Sequence, residues 1–134
     1  MKEKYIESAQ GLEKLHRLFL EVIKAELVRE HINDISNVQA LVLYNIGDSQ
    51  MSVGELTNRG YYLGSNVSYN LRKMVNNGYV KQIPSPHDKR SSHVCLSEKG
   101  KLLFKKMDGF FNRHTDQLMQ RGGKEAVVEL DSAL

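Results

Sequence analysis

The stretch from Gly64 to Gly100 constrains the fold more than any other part of the chain. Val67, Leu71, Met74 and Val75 recur at helical spacing while Ser65, Ser68, Tyr69, Arg72 and Lys73 lie on the opposite side, so Ser65 to Asn77 reads as a short amphipathic helix. Ser65 is a good N-cap type, and Asn77-Gly78 supplies a left-handed stop in preference to a hairpin turn. Strand-like runs follow at Tyr79 to Ile83 and His93 to Leu96, joined by a polar loop from Pro84 to Ser92. Pro84 and Pro86 end the first strand because neither can donate a ladder hydrogen bond. A helix, a hairpin and a basic loop tip in this order form the layout of a winged helix.

Charge is concentrated on the same stretch. From Leu56 to Ser97 the positive residues are Arg59, Arg72, Lys73, Lys81, Lys89 and Arg90, and the sole acid is Asp88, a net +5. The whole chain is +3, so the remainder nets −2. A basic helix beside a basic loop tip suits a polyanion with two adjacent grooves, since affinity for DNA comes largely from neutralised phosphates. Charge alone would equally describe a solvated face; the helix-hairpin order is what favours nucleic acid.

The residues also match a family pattern. Asp88-x-Arg90, five residues, Leu96-Ser97, two residues and Gly100 resembles the wing signature of MarR-type regulators, Asp-x-Arg-x(5)-Leu-Thr-x-x-Gly, with Ser97 in place of Thr. Asn66-Val67-Ser68 through Leu71 and on to Gly78-Tyr79-Val80 is similar to that family's recognition helix running into its first wing strand, with Lys81 in place of the usual Arg. Helix order and length extend the resemblance over most of the chain. The fold class it implies is mainly α with a small antiparallel β-hairpin wing: a winged helix-turn-helix lobe over about 36–100, with helices at 1–31 and 98–134 in a dimerisation layer.

The flanking residues read consistently with that outline. A chain of 134 residues is the size of one domain. Tyr5 to about His31 is a long amphipathic helix with Leu12, Leu15, Phe19, Val22, Ile23 and Leu27 on one stripe. Its glutamates help make Met1 to Glu55 a net −3, which should hold this end away from phosphate. Ser36 can cap a second helix carrying Val38, Leu41, Val42, Tyr44 and Ile46, which Gly47 ends. Ser52-Val53-Gly54-Glu55 fits a capping box opening a helix from Val53 to about Asn58. Arg59 to Gly64 is then the lengthened turn of a helix-turn-helix, where Tyr61 and Tyr62 can pack beneath the turn or touch DNA backbone, packing being favoured for one of the two. Ser97 caps a last long helix, Glu98 to about Gln120, in which Gly109 reads as a close-packing or bend position. After Arg121-Gly122-Gly123 a further helix begins at Lys124 and stops on the apolar Leu134, as a cut or unusually short terminal helix would.

Other chemistries find little support. No nucleophile elbow, phosphate-cradling Gly loop or paired-His helix motif is present, so no enzymatic activity and no cofactor are expected. His16, His31, His87, His93 and His114 are scattered without zinc spacing, so no metal is expected. Cys95 cannot form an internal disulfide, in keeping with a reducing compartment, and its place between Val94 and Leu96 suits packing better than redox sensing. There is no apolar run of about 18 residues and no signal-peptide pattern at the start, so the expected compartment is the cytoplasm, without a membrane partner.

The MarR resemblance implies a homodimer on double-stranded DNA with a pseudo-palindromic operator, usually acting as a repressor. Ser65, Asn66, Ser68, Tyr69 and Arg72 become candidates for base or phosphate contact in the major groove, with Lys73 on phosphate. Arg90 at the wing tip would enter the minor groove, Asp88 would orient it, and Lys89 would add a phosphate contact. The resemblance further implies a small aromatic or anionic effector between the two layers, for which His16, Arg17, Phe19 and Tyr44 are the candidates. A winged helix that meets an acidic protein partner, or an activator with the same DNA chemistry, is the alternative.

Overall fold

The computed structural model of the protein describes residues 1–58, 64–84 and 92–120. In chain order the elements are α1 (Lys2–Arg29), α2 (Asn37–Ile46), β1 (Met51–Ser52), α3 (Val53–Asn58), α4 (Gly64–Asn76), β2 (Val80–Pro84), β3 (Ser92–Leu96) and α5 (Glu98–Gln120). The strands form an antiparallel sheet in the order β1-β3-β2, with Val80 opposite Leu96 and Ile83 opposite His93. The architecture is therefore mostly helical with a small sheet, the winged helix-turn-helix arrangement expected from sequence.

Element ends follow local chemistry. The Ser36 hydroxyl accepts from Gln39 N while the Gln39 side chain accepts from Ser36 N, a complete capping box at the start of α2. At α3 the Ser52 hydroxyl accepts from Glu55 N at 3.0 Å. Helix α4 closes in a Schellman arrangement: Gly78 N donates to Val75 O at 3.0 Å and Tyr79 N to Met74 O at 2.9 Å. Gly78 occupies the left-handed position with φ of 81°, which a side chain would strain. The stop at Asn77-Gly78 is thus a helix terminus, and β2 begins one residue later than the sequence suggests because Tyr79 N is used by this cap.

Strand β1 was not legible in the sequence. Met51 and Ser52 pair with Val94 and His93, adding a third strand to the hairpin. Two residues are too few to show an alternating pattern, and only the partner strand defines them.

The core gathers Ile23 and Leu27 of α1, Ala40 to Leu43 and Ile46 of α2, Leu56 of α3, Val67, Leu71 and Met74 of α4, Val94 and Leu96 of β3, and Leu103, Met107 and Phe110 of α5. The apolar stripe of α1 divides in two: its C-terminal part enters this core, whereas Leu12 and Leu15 remain 40% and 45% exposed. Among the described residues Gly109 does not serve close packing, since an added Cβ would meet only the end of the Arg113 side chain at 3.6 Å. Gly100 serves it instead. A Cβ there would overlap the carbonyl oxygen of Tyr79 and approach Leu96 Cβ at 3.3 Å.

Candidate nucleic-acid interface

Helix α4 sorts its side chains by period. Val67, Leu71 and Met74 are buried, while Asn66, Ser68, Tyr69, Arg72 and Lys73 are exposed. Ser65 lies in the first turn. Lys73 Nζ stands 5.7 Å from the centre of the Tyr69 ring, and among the described residues neither Arg72 nor Lys73 has a carboxylate partner. Both cations thus keep their charge available to an anion. Beside them a cleft of about 390 Å³ separates α4 from the sheet. Ser68, Arg72 and Asn76 line one side, Gln82 of β2 the other, and Val53, Leu71, Val75 and Val94 complete its lining. Asp88, Lys89 and Arg90, expected at the wing tip, fall outside the described residues, as do Arg59, Tyr61 and Tyr62.

Two polar contacts set where α4 lies. In its middle, Asn70 Oδ1 accepts from Gln39 Nε2 at 3.2 Å, and Gln39 is the buried polar residue of the described core. At its tail, Asp34 in the loop after α1 collects several donors. The Tyr79 hydroxyl donates to Oδ1, Lys99 Nζ donates to Oδ2 at 2.6 Å, and Asn77 Nδ2 donates to the Asp34 carbonyl at 2.8 Å. Lys99 Nζ also donates to Asn77 O at 2.9 Å and lies 4.3 Å from the centre of the Tyr79 ring. Burial works to raise the Asp34 pKa, but the hydrogen bonds from Lys99 and Tyr79 and the Lys99 charge hold it below its ordinary value. Burial and the bond to Asp34 push the Tyr79 hydroxyl well above its ordinary range. Sequence reasoning missed these groups. Ser36-x-x-Gln39 has capping-box spacing and was findable; Asp34, Tyr79 and Lys99 are 45 and 65 positions apart and share no local pattern.

The effector candidates occupy two settings. Phe19 stacks on Phe111 at 5.4 Å, and Tyr44 meets the same ring edge-on at 4.9 Å while stacking on Phe104. The Tyr44 hydroxyl donates to Asp108 at 2.8 Å. His16 and Arg17 stand exposed on the preceding turn of α1. Cys95 is half-buried on β3, and His93 pairs in register with Ile83. Among the described residues no three His, Cys, Asp or Glu side chains come together as a metal site, and no helix is long and apolar enough to cross a membrane.

Residues 35–100 match the family described as winged helix DNA-binding domain. The exopolysaccharide II synthesis transcriptional activator ExpG of Rhizobium meliloti (strain 1021) is 44% identical over 99 residues, covering 74% of this chain and 51% of that protein. The chain therefore spans about half the length of the curated relative it matches. Among solved structures, Streptococcus pneumoniae FabT in complex with DNA superposes with a TM-score of 0.78 at 18% identity, covering 96% of this chain and 91% of that one. A mutant MarR from E. coli complexed with operator DNA gives 0.78 at 19% identity, with 97% and 92% covered.

Proposed function

We propose that the chain, whose residues 35–100 match the winged helix DNA-binding domain and whose fold is MarR-type, is a transcriptional regulator that binds a pseudo-palindromic operator as a homodimer. The observation that carries this reading is the exposed face of α4, which presents Asn66, Ser68, Tyr69, Arg72 and Lys73 to solvent, with Ser68 and Arg72 also lining the cleft against the sheet. An α-helix fits the major groove, and the described polar ties of α4 lie in its middle and at its tail. Arg72 can grip a guanine through a bidentate fork, Asn66 can pair with an adenine edge, and Ser65, Ser68 and Tyr69 can reach bases or phosphates. Lys73 neutralises phosphate. At the wing, Arg90 enters a narrow minor groove, Asp88 orients it and Lys89 adds a phosphate contact.

Dimerisation is supported by apolar side chains that the single chain leaves in solvent. Tyr5, Ile6, Leu12, Leu15 and Leu18 on α1 and Leu118 and Met119 near the end of α5 are all exposed. Pairing two copies through these helices would bury them and set two recognition helices about one DNA turn, roughly 10 bp, apart. The sign of regulation has two readings. Repression relieved by a small aromatic or anionic effector draws on the ring cluster of Phe19, Tyr44, Phe104 and Phe111, near which His16 and Arg17 offer positive charge or donors. Activation draws on the activator named among the relatives, with the same DNA-binding chemistry. The protein acts where DNA is, in the cytoplasm, with no cofactor and no catalytic step.

Operator selection from a random duplex pool, followed by salt titration of the winner against a scrambled duplex, tests the proposal. An enriched inverted repeat bound at least roughly a thousandfold more tightly than the scramble is the expected result. Equal affinity for both duplexes, falling together as salt rises, would instead favour a winged helix that meets an acidic protein partner.

A further inference from the structure

The tail of the recognition helix is tied more heavily than a helix terminus requires. Gly78 and Tyr79 already satisfy the last carbonyls through backbone bonds. Asp34 then adds an acceptor to each of three donors, from Asn77, Tyr79 and Lys99, and Lys99 returns to the Asn77 carbonyl. Ser97 donates to Gly78 O from the start of α5. Three chain segments converge here: the loop after α1, the turn after α4, and the first turn of α5. The helices α1 and α5 leave this point carrying the exposed apolar residues of the proposed dimer layer.

Leverage explains why such a joint matters. Helix α4 has 13 residues, so at about 1.5 Å per residue its base-reading end lies roughly 20 Å from the joint. A swing of about 10° there would displace that end by roughly 3 Å, close to the ~3.4 Å between successive bases of one strand.

Resting on the dimeric operator reading above, we propose that Asp34, Tyr79 and Lys99 are positioning residues that set which half-site spacing the dimer accepts. They touch no DNA. They fix the angle of α4 against α1 and α5, so that two recognition helices meet the duplex one defined distance apart.

The test uses a series of inverted-repeat duplexes whose half-sites are moved apart or together in single base-pair steps. Binding is measured for the full chain, Tyr79→Phe and Lys99→Gln, with melting temperature and dimer mass recorded for each. The unaltered protein is expected to prefer one spacing by at least about tenfold, and each variant to fall to within about threefold across neighbouring spacings while keeping its half-site preference and dimer mass. Lys99→Arg, which can remake the ion pair, restores the discrimination. Lys99 is half-exposed, so Lys99→Gln still reports if Tyr79→Phe folds poorly. Variants that lose affinity by one common factor at all spacings, or that discriminate as the unaltered protein does, would overturn the proposal. If the unaltered protein shows no preference for an inverted repeat, the dimeric reading itself fails and this inference fails with it.

Discussion

Gln39 donates to Asn70 across 31 positions of sequence, a 3.2 Å hydrogen bond that joins the first turn of α2 to the middle of α4. The same Gln39 amide accepts from Ser36 N at 3.1 Å, so a single side chain both caps one helix and holds another. Gln39 is buried, which strengthens both bonds and penalises the loss of either.

Gln39→Leu is accordingly expected to destabilise the protein by about 1–3 kcal/mol, leaving Ser36 N and the Asn70 amide without their partner. Urea unfolding checks it through the transition midpoint. Asn70→Ala, which removes only the outer bond of a half-buried pair, should cost less.

The two glycines of α5 should respond oppositely to alanine. Gly100→Ala forces a methyl group onto the Tyr79 carbonyl, a backbone atom that cannot swing aside, and should cost about 1–3 kcal/mol. Gly109→Ala meets only a flexible arginine end and should gain about 0.5–1 kcal/mol in helix propensity. Thermal unfolding of the pair reads both signs.

The Asp34 joint gives stability a defined pH dependence. Asp34 is held below its ordinary value near 3.8, so its contribution is complete above that pH and is lost as pH falls through the lowered folded value. Tyr79 is raised above its ordinary value of 10.0, so its contribution is complete below about pH 10 and is lost as pH rises beyond it. Urea midpoints should drop at both extremes, and Tyr79→Phe should reduce the alkaline drop, leaving the part due to Tyr44, whose hydroxyl pKa is also raised by burial and its bond to Asp108. An alkaline drop that persists unchanged in this variant would exclude Tyr79 as its source.

Side chains that read bases and side chains that meet phosphate should separate experimentally. Arg72→Ala is expected to weaken operator binding by about 1–3 kcal/mol and to relax the preference at one base pair, whereas Lys73→Ala should weaken all duplexes alike and lower the salt slope by about 1. Arg90→Ala should cost a similar 1–3 kcal/mol with folding and dimer mass intact, and unchanged affinity at matched salt would remove Arg90 from the mechanism.

Exposed leucines on α1 predict the assembly. Leu15→Glu places a charge on a position 45% exposed in the single chain, so the isolated fold should tolerate it while the dimer does not. Sedimentation should show a monomer, with operator affinity reduced to that of one half-site.

Much of this molecule was legible because its signals are local. The period of Val67, Leu71 and Met74, the Ser36 and Ser97 caps and the Gly78 stop are decided within a few residues, so helix bounds came within three residues of those observed. The exposed set on α4 followed from the same period, since a buried stripe leaves the opposite face in solvent. Strand β1 and the role of Gly100 were not legible, because each exists only through a partner far along the chain: β3 for the one, the Tyr79 carbonyl for the other.

Sequence by itself determined which face of α4 turns inward, where the described helices begin and end to within three residues, and which helix carries polar and basic groups outward. These follow from backbone sterics and hydrophobic period, which act over one or two turns. Tertiary structure alone decided how that helix is aimed. Asp34, Tyr79 and Lys99 acquire a joint function only when three segments pack together, because a hydrogen bond is effective over about 3 Å and no spacing in the chain encodes such proximity.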